Sequence, residues 1–157
     1  IAREDIIRAI SAMNAIISLA PSSFGPVLME KLVSSGEILE IGAKMIRPFY
    51  QDKCMRALES VHRELEGIPY RVHTPEGSMF LWLWFENLPI SSGELYQRLK
   101  ENGVLVVSGH YFFPGLNQDW QHSSECVRLT YSQDDETVGR GIAIIGRVLK
   151  DIYQHTF

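Results

Sequence analysis

The stretch Cys126-Val127-Arg128-Leu129-Thr130-Tyr131-Ser132-Gln133 alternates with a period of two, which predicts a strand. Val127, Leu129 and Tyr131 fall on one face, and Cys126, Arg128, Thr130 and Ser132 on the other, because successive strand side chains point to opposite sides of a sheet. The first face wants a core. The second presents one arginine among small polar residues, an arrangement expected to leave its planar fork uncovered. A helix start follows at once, with Ser132 or Asp134 as candidate cap and Asp135 and Glu136 in the first turn, where acidic groups meet the positive end of the helix dipole. The stretch therefore predicts a rigid strand-to-helix mount carrying a guanidinium. That group can grip a carboxylate through two parallel donors, or stand solvated on an open sheet face; the spacing allows both.

Upstream, Met79-Phe80-Leu81-Trp82-Leu83-Trp84-Phe85 is apolar on both faces, so a central strand over 78–86, covered on each side, is expected. Tyr70 to His73 reads as a shorter strand joined to it through Thr74-Pro75-Glu76-Gly77, and Val104 to Val107 as another buried strand. Between them Ser91-x-x-Glu94 has capping-box spacing, with Leu95, Tyr96 and Leu99 on the buried side of a helix closed by Gly103. A last helix over 134–153 carries Val138, Ile142, Ile145, Leu149 and Ile152 inward.

The first third is helical in pattern. A stripe of Ile6, Ile7, Ile10, Met13 and Ile17 suits burial along a helix over 2–19 that Pro21 ends. Ser22 or Ser23 caps the next helix, which carries Val27, Leu28 and Leu32 up to Ser35-Gly36. A third piece over 37–46 places Ile38, Ile41 and Met45 together, and Arg47-Pro48 interrupts it. Pro48 then sits in the first turn of a helix to Leu65, whose stripe is Cys54, Leu58, Val61 and Leu65 and whose terminator is Gly67. Helices followed by strand-strand-helix-strand-strand-helix predict an α/β fold, with a mixed or antiparallel sheet and a boundary near residues 36 to 48.

Composition narrows the partners. The chain has 157 residues and a net charge of −4, with no basic tract, so a nucleic-acid partner is not expected. No apolar run reaches membrane-spanning length. The two cysteines, Cys54 and Cys126, form neither a disulfide framework nor a metal-ligand spacing, which suits a reducing cytoplasm. His62 and His73 read as surface residues and His122 as part of a polar loop; no metal site follows from them. The lysines Lys31, Lys44, Lys53, Lys100 and Lys150 all fall on expected exposed helix faces or ends. Residues 108–125 form a long aromatic loop, a type that tends to be functional. Within it a titrating His110 could serve as a proton carrier or hydrogen-bond donor, although a lone histidine more often only satisfies a local hydrogen bond.

Three stretches in order, His73-Thr-Pro-Glu-Gly-Ser-Met-Phe-Leu-Trp-Leu-Trp-Phe85, Gly103-Val-Leu-Val-Val-Ser-Gly-His-Tyr-Phe-Phe-Pro-Gly115 and Cys126-Val-Arg-Leu-Thr-Tyr-Ser-Gln133, resemble the C-terminal part of fold-type I, pyridoxal-phosphate-dependent aminotransferases. Ile17-Ser-Leu-Ala-Pro21 extends the resemblance toward the start of the chain. The resemblance implies that residues 1–35 are trailing helices of a large cofactor domain and 36–157 the small domain. It implies Arg128 as the anchor of the substrate α-carboxylate, with Gly109, His110 and Tyr111 as further substrate-binding residues. Amino acids and 2-keto acids would be the substrates, and the full-length parent would be a cytoplasmic homodimer using pyridoxal 5'-phosphate. The cofactor lysine is expected upstream of Ile1, so no catalytic lysine, no bound cofactor and no activity are expected of this chain alone. Ser108 stands where the family has proline, a change expected to loosen the loop. Two other readings are a non-catalytic module that senses a small carboxylate through the same arginine, and an aminotransferase of this fold with another substrate, such as an aromatic amino acid.

Overall fold

The computed structural model describes residues 2–18, 23–116 and 118–154, so the expectations placed on Pro21 and Ser22 lie outside the described residues. It divides into two compact units, Ile1–Lys44 and Met45–Phe157.

The first unit holds α1 (Glu4–Ile17), α2 (Phe24–Ser34) and α3 (Glu37–Ile41). Ser23 stands at the N-cap of α2 without a capping side-chain bond, and Gly36 takes the left-handed φ of 75° that ends the helix. The stripes expected to be buried are not: none of the described residues of these helices is buried, Leu32, Ile38 and Ile41 are half-buried, and Ile10 and Ile17 stand 58% and 75% open. Periodicity reports that a helix has an apolar face; it does not supply the surface that covers it.

Arg47-Pro48 does not interrupt the helical run. A π-helical turn, Gly42–Ile46, leads straight into α4 (Arg47–Glu64), with Pro48 in its first turn. Proline lacks the N–H and crowds the carbonyl four residues back, and a widened turn immediately before it relieves both demands.

The second unit is a four-stranded sheet in the order β1-β2-β4-β3, from β1 (Tyr70–Val72), β2 (Phe80–Phe85), β3 (Val107–Ser108) and β4 (Cys126–Thr130). All three pairings are antiparallel, which resolves the mixed-or-antiparallel alternative. Helices α4, α5 (Ser92–Glu101) and α6 (Asp135–Gln154) bring Val61, Leu65, Leu95, Leu99, Ile142, Ile145, Leu149 and Ile152 into one core with Leu81, Leu83, Phe85, Val127 and Leu129 of the sheet. Fully burying each such side chain stabilises the fold by about 1.5–3 kcal/mol before entropy is counted. Tyr131, 2% exposed, donates its hydroxyl to the Ser78 carbonyl at 2.8 Å, and burial pushes its pKa up to about 12.

Local signals are realised where they were strongest. Ser91 Oγ accepts from the Glu94 N–H at 3.2 Å, Asp134 Oδ1 accepts from the Thr137 N–H at 2.8 Å, and Gly67 and Gly103 take φ of 83° and 81°. Two strands differ from expectation. β2 starts at Phe80, because Ser78 sits at a left-handed φ of 72° and leaves the extended region. β3 is only Val107–Ser108, at the sheet edge, and Leu105 stands 71% exposed rather than in a buried strand. β2 is central but not covered alike on both sides: Leu81, Leu83 and Phe85 are fully buried, whereas Phe80 is exposed and Trp82 and Trp84 are half-buried.

Candidate functional site

The register assembles the half-open face. Arg128 lies opposite Trp82 on one side and Val107 on the other; Cys126 lies opposite Trp84, and Thr130 opposite Phe80. The loop between β3 and β4 covers part of this face, through two short 3-10 turns, Gly109–Phe112 and Gln121–Ser124. Phe112 and Phe113 meet Trp82 with ring centroids 5.2 and 6.0 Å away, and His122 meets Trp84 at 4.7 Å. The arginine stands on the expected side of β4, but its setting is not the open one expected. The guanidinium carbon of Arg128 lies 4.2 Å from the Phe80 ring and 4.7 Å from the Phe112 ring, so the fork is not uncovered.

Arg128 Nε is buried and has no hydrogen-bond partner among the described residues, and no carboxylate of those residues pairs with this guanidinium. A buried donor on a cation that no acceptor meets is costly.

Glycine, histidine and tyrosine of the loop take different places. A Cβ on Gly109 would come within 2.6 Å of the Cys126 carbonyl oxygen, so only glycine lets this turn sit directly on β4. His110 shares a 2.7 Å hydrogen bond through Nδ1 with Ser108 Oγ and lines a cavity of about 310 Å³ together with Gly93, Tyr96, Gln97 and Tyr111. Arg128 is not among that cavity's lining residues. Tyr111 stacks beside His110 at 4.0 Å and is 71% exposed. Ser108 is tied, not loosened: it is buried, and its hydroxyl also donates to Ser92 Oγ at 2.8 Å. Its φ of −63° is one that proline also adopts.

Other groups frame the face. Glu125, 5% exposed, accepts from Trp84 Nε1 at 2.7 Å and from Gln121 Nε2 at 2.6 Å, fixing the second 3-10 turn to the sheet. His122 lies in the loop, as expected, but is half-buried there, stacked on Trp120 at 4.8 Å, with its Nε2 3.6 Å from Cys126 Sγ. Burial pushes the Cys126 thiol up to about 11, which keeps it protonated and unreactive near neutral pH. Lys53 is also displaced from expectation: only 12% of its side chain is exposed, and its amine donates to the Gln133 carbonyl and reaches Asp135. No lysine lies on β1 to β4. The described residues contain no cluster of three or more His, Cys, Asp or Glu side chains able to hold a metal, and no helix long and apolar enough to cross a membrane.

Over 150 residues the chain is 42% identical to the valine–pyruvate aminotransferase of Escherichia coli (strain K12), a match covering 96% of this chain and 36% of that protein. The chain is thus similar to part of that aminotransferase. The crystal structure of valine–pyruvate aminotransferase from Salmonella typhimurium LT2 superposes with a TM-score of 0.86 at 40% identity, over 98% of this chain and 40% of that one. The α-aminoadipate aminotransferase of Thermus thermophilus shares the fold, with a TM-score of 0.75 at 24% identity over 98% of this chain and 38% of that one. No protein-family model matches. The chain thus spans little more than a third of the length of the aminotransferases it matches.

Proposed function

We propose that this chain is the carboxylate-binding part of a pyridoxal-phosphate-dependent aminotransferase that exchanges an amino group between valine and pyruvate. Arg128 holds the α-carboxylate of both the amino acid and the keto acid. One observation carries the reading: a guanidinium packed against two rings, with a buried Nε that no described residue satisfies. Residues 36–157 act as the small domain that closes over substrate, and residues 1–35 as helices of the large domain. The long loop beside β4 borders the substrate, with Gly109, His110 and Tyr111 on its first turn.

Pyridoxal phosphate supplies the electron sink for amino transfer when it is bound in the whole protein. The residues of this chain bind and orient: Arg128 fixes the carboxylate end, and the aromatic loop excludes water from the ion pair, which strengthens it. The lysine that carries the cofactor belongs to the remaining length of the protein, so this chain alone does not transaminate, and the working form is a dimer. The test is Arg128→Lys in the full-length protein. A point charge replaces a bidentate fork, so the apparent affinities for valine and for pyruvate should both fall, by about tenfold or more. Unchanged affinity for both would sink the assignment.

A further inference from the structure

We infer that Phe112 is a positioning residue for the arginine grip, and that Gly109 acts through Phe112 and not by touching substrate; this rests on the reading of Arg128 as carboxylate anchor. A ligand-binding guanidinium faces a conflict. A protein carboxylate would hold it firmly, but would occupy the donors that the ligand needs. Around Arg128 the conflict is absent: no described residue accepts a hydrogen bond from its buried Nε, and its contacts are the faces of Phe80 and Phe112. Rings restrain the guanidinium through its π-cloud and leave its N–H groups unspent.

The two rings come from different elements. Phe80 is set by the register of β2 against β4. Phe112 is set by the 3-10 turn Gly109–Phe112, which is held at its start from two sides. On one side the absent side chain of Gly109 lets the turn rest on Cys126, two residues before Arg128, where a Cβ would meet the Cys126 carbonyl oxygen at 2.6 Å and its Cβ at 2.7 Å. On the other, the buried Ser108 hydroxyl ties the turn to Ser92 of α5 and to His110. Any side chain at residue 109 lifts the turn and withdraws Phe112 from the guanidinium. Phe112 itself is 40% exposed, so replacing it leaves the core intact.

The experiment uses the full-length protein loaded with its cofactor. KM and kcat are measured for valine and pyruvate, with the inhibition constant of isovalerate, which has the carboxylate and branched chain but no amino group. Phe112→Leu should raise both KM values and the isovalerate constant by about five- to thirty-fold, the span of one partly desolvated cation–π contact, with kcat within about twofold. Phe112→Trp should return all three to within about threefold of the parent, and Gly109→Ala should share the Phe112→Leu pattern. If Phe112→Leu leaves the three constants unchanged while Arg128→Lys raises them, the inference fails and the anchor stands. If neither variant moves them, the anchor itself is wrong. A fall in kcat at constant KM, or no recovery with tryptophan, also overturns the positioning role.

Discussion

Alanine at residue 146 and alanine at residue 139 should move stability in opposite directions, although both replace glycine within α6. Gly146 faces α4: a Cβ there would lie 2.6 Å from the Glu64 carbonyl oxygen and 3.1 Å from its carbon. Those are backbone atoms at the C-terminal end of a packed helix and cannot rotate away, so the two helices must separate by several tenths of an ångström. Such overpacking costs about 1–3 kcal/mol. Alanine's better helix propensity returns about 1 kcal/mol, leaving a net loss of up to about 2 kcal/mol. At Gly139 nothing lies within 4 Å of the added Cβ, so only the propensity gain of about 1 kcal/mol remains. The expected gap between the variants is about 1–3 kcal/mol, or about 1 M in urea midpoint for a typical slope. All three tryptophans, Trp82, Trp84 and Trp120, lie in the unit that contains α6, so their fluorescence follows the relevant transition. A Gly146→Ala midpoint at or above that of the parent would refute the close approach of α4 and α6.

Two further outcomes follow from the groups behind the aromatic face. The Cys126 thiol titrates near 9.0 when unfolded and about 11 when folded, so its contribution is complete below pH 9 and is lost as pH rises to about 11. Cys126→Ala should therefore lose less stability between pH 9 and pH 11 than the parent does, measured by urea midpoints at the two ends; equal losses would show that the thiol is not protected. Glu125→Ala strips the half-buried Trp84 N–H of its buried acceptor, a loss of about 1–3 kcal/mol, and should change the tryptophan emission of the native state. Native emission and midpoint both identical to the parent would mean that Glu125 does not hold the second turn to the sheet.

How far the sequence carried the fold depends on the range of the interaction. The cap at Ser91, the left-handed glycines and the two faces of β4 rest on contacts within a few residues, and each was readable. The helix through Arg47-Pro48 was not, because a π turn ahead of proline is a backbone adjustment with no compositional mark. Val104 to Val106 read as a strand from apolarity alone, yet pairing in β3 begins only at Val107, since a ladder needs a partner strand as well as a hydrophobic run. The same limit explains the arginine. Its place on the polar side of β4 follows from period two. Its restraint depends on Phe80, which the β2–β4 register sets one pair away on the same face, and on Phe112, brought over by a turn that only a glycine at residue 109 permits. Neither ring is close to Arg128 in sequence, and the spacing of residues 126 to 133 carries no trace of them. What was legible was the donor; what was not is the tertiary arrangement that holds its guanidinium between two rings and leaves its Nε without a partner among the described residues.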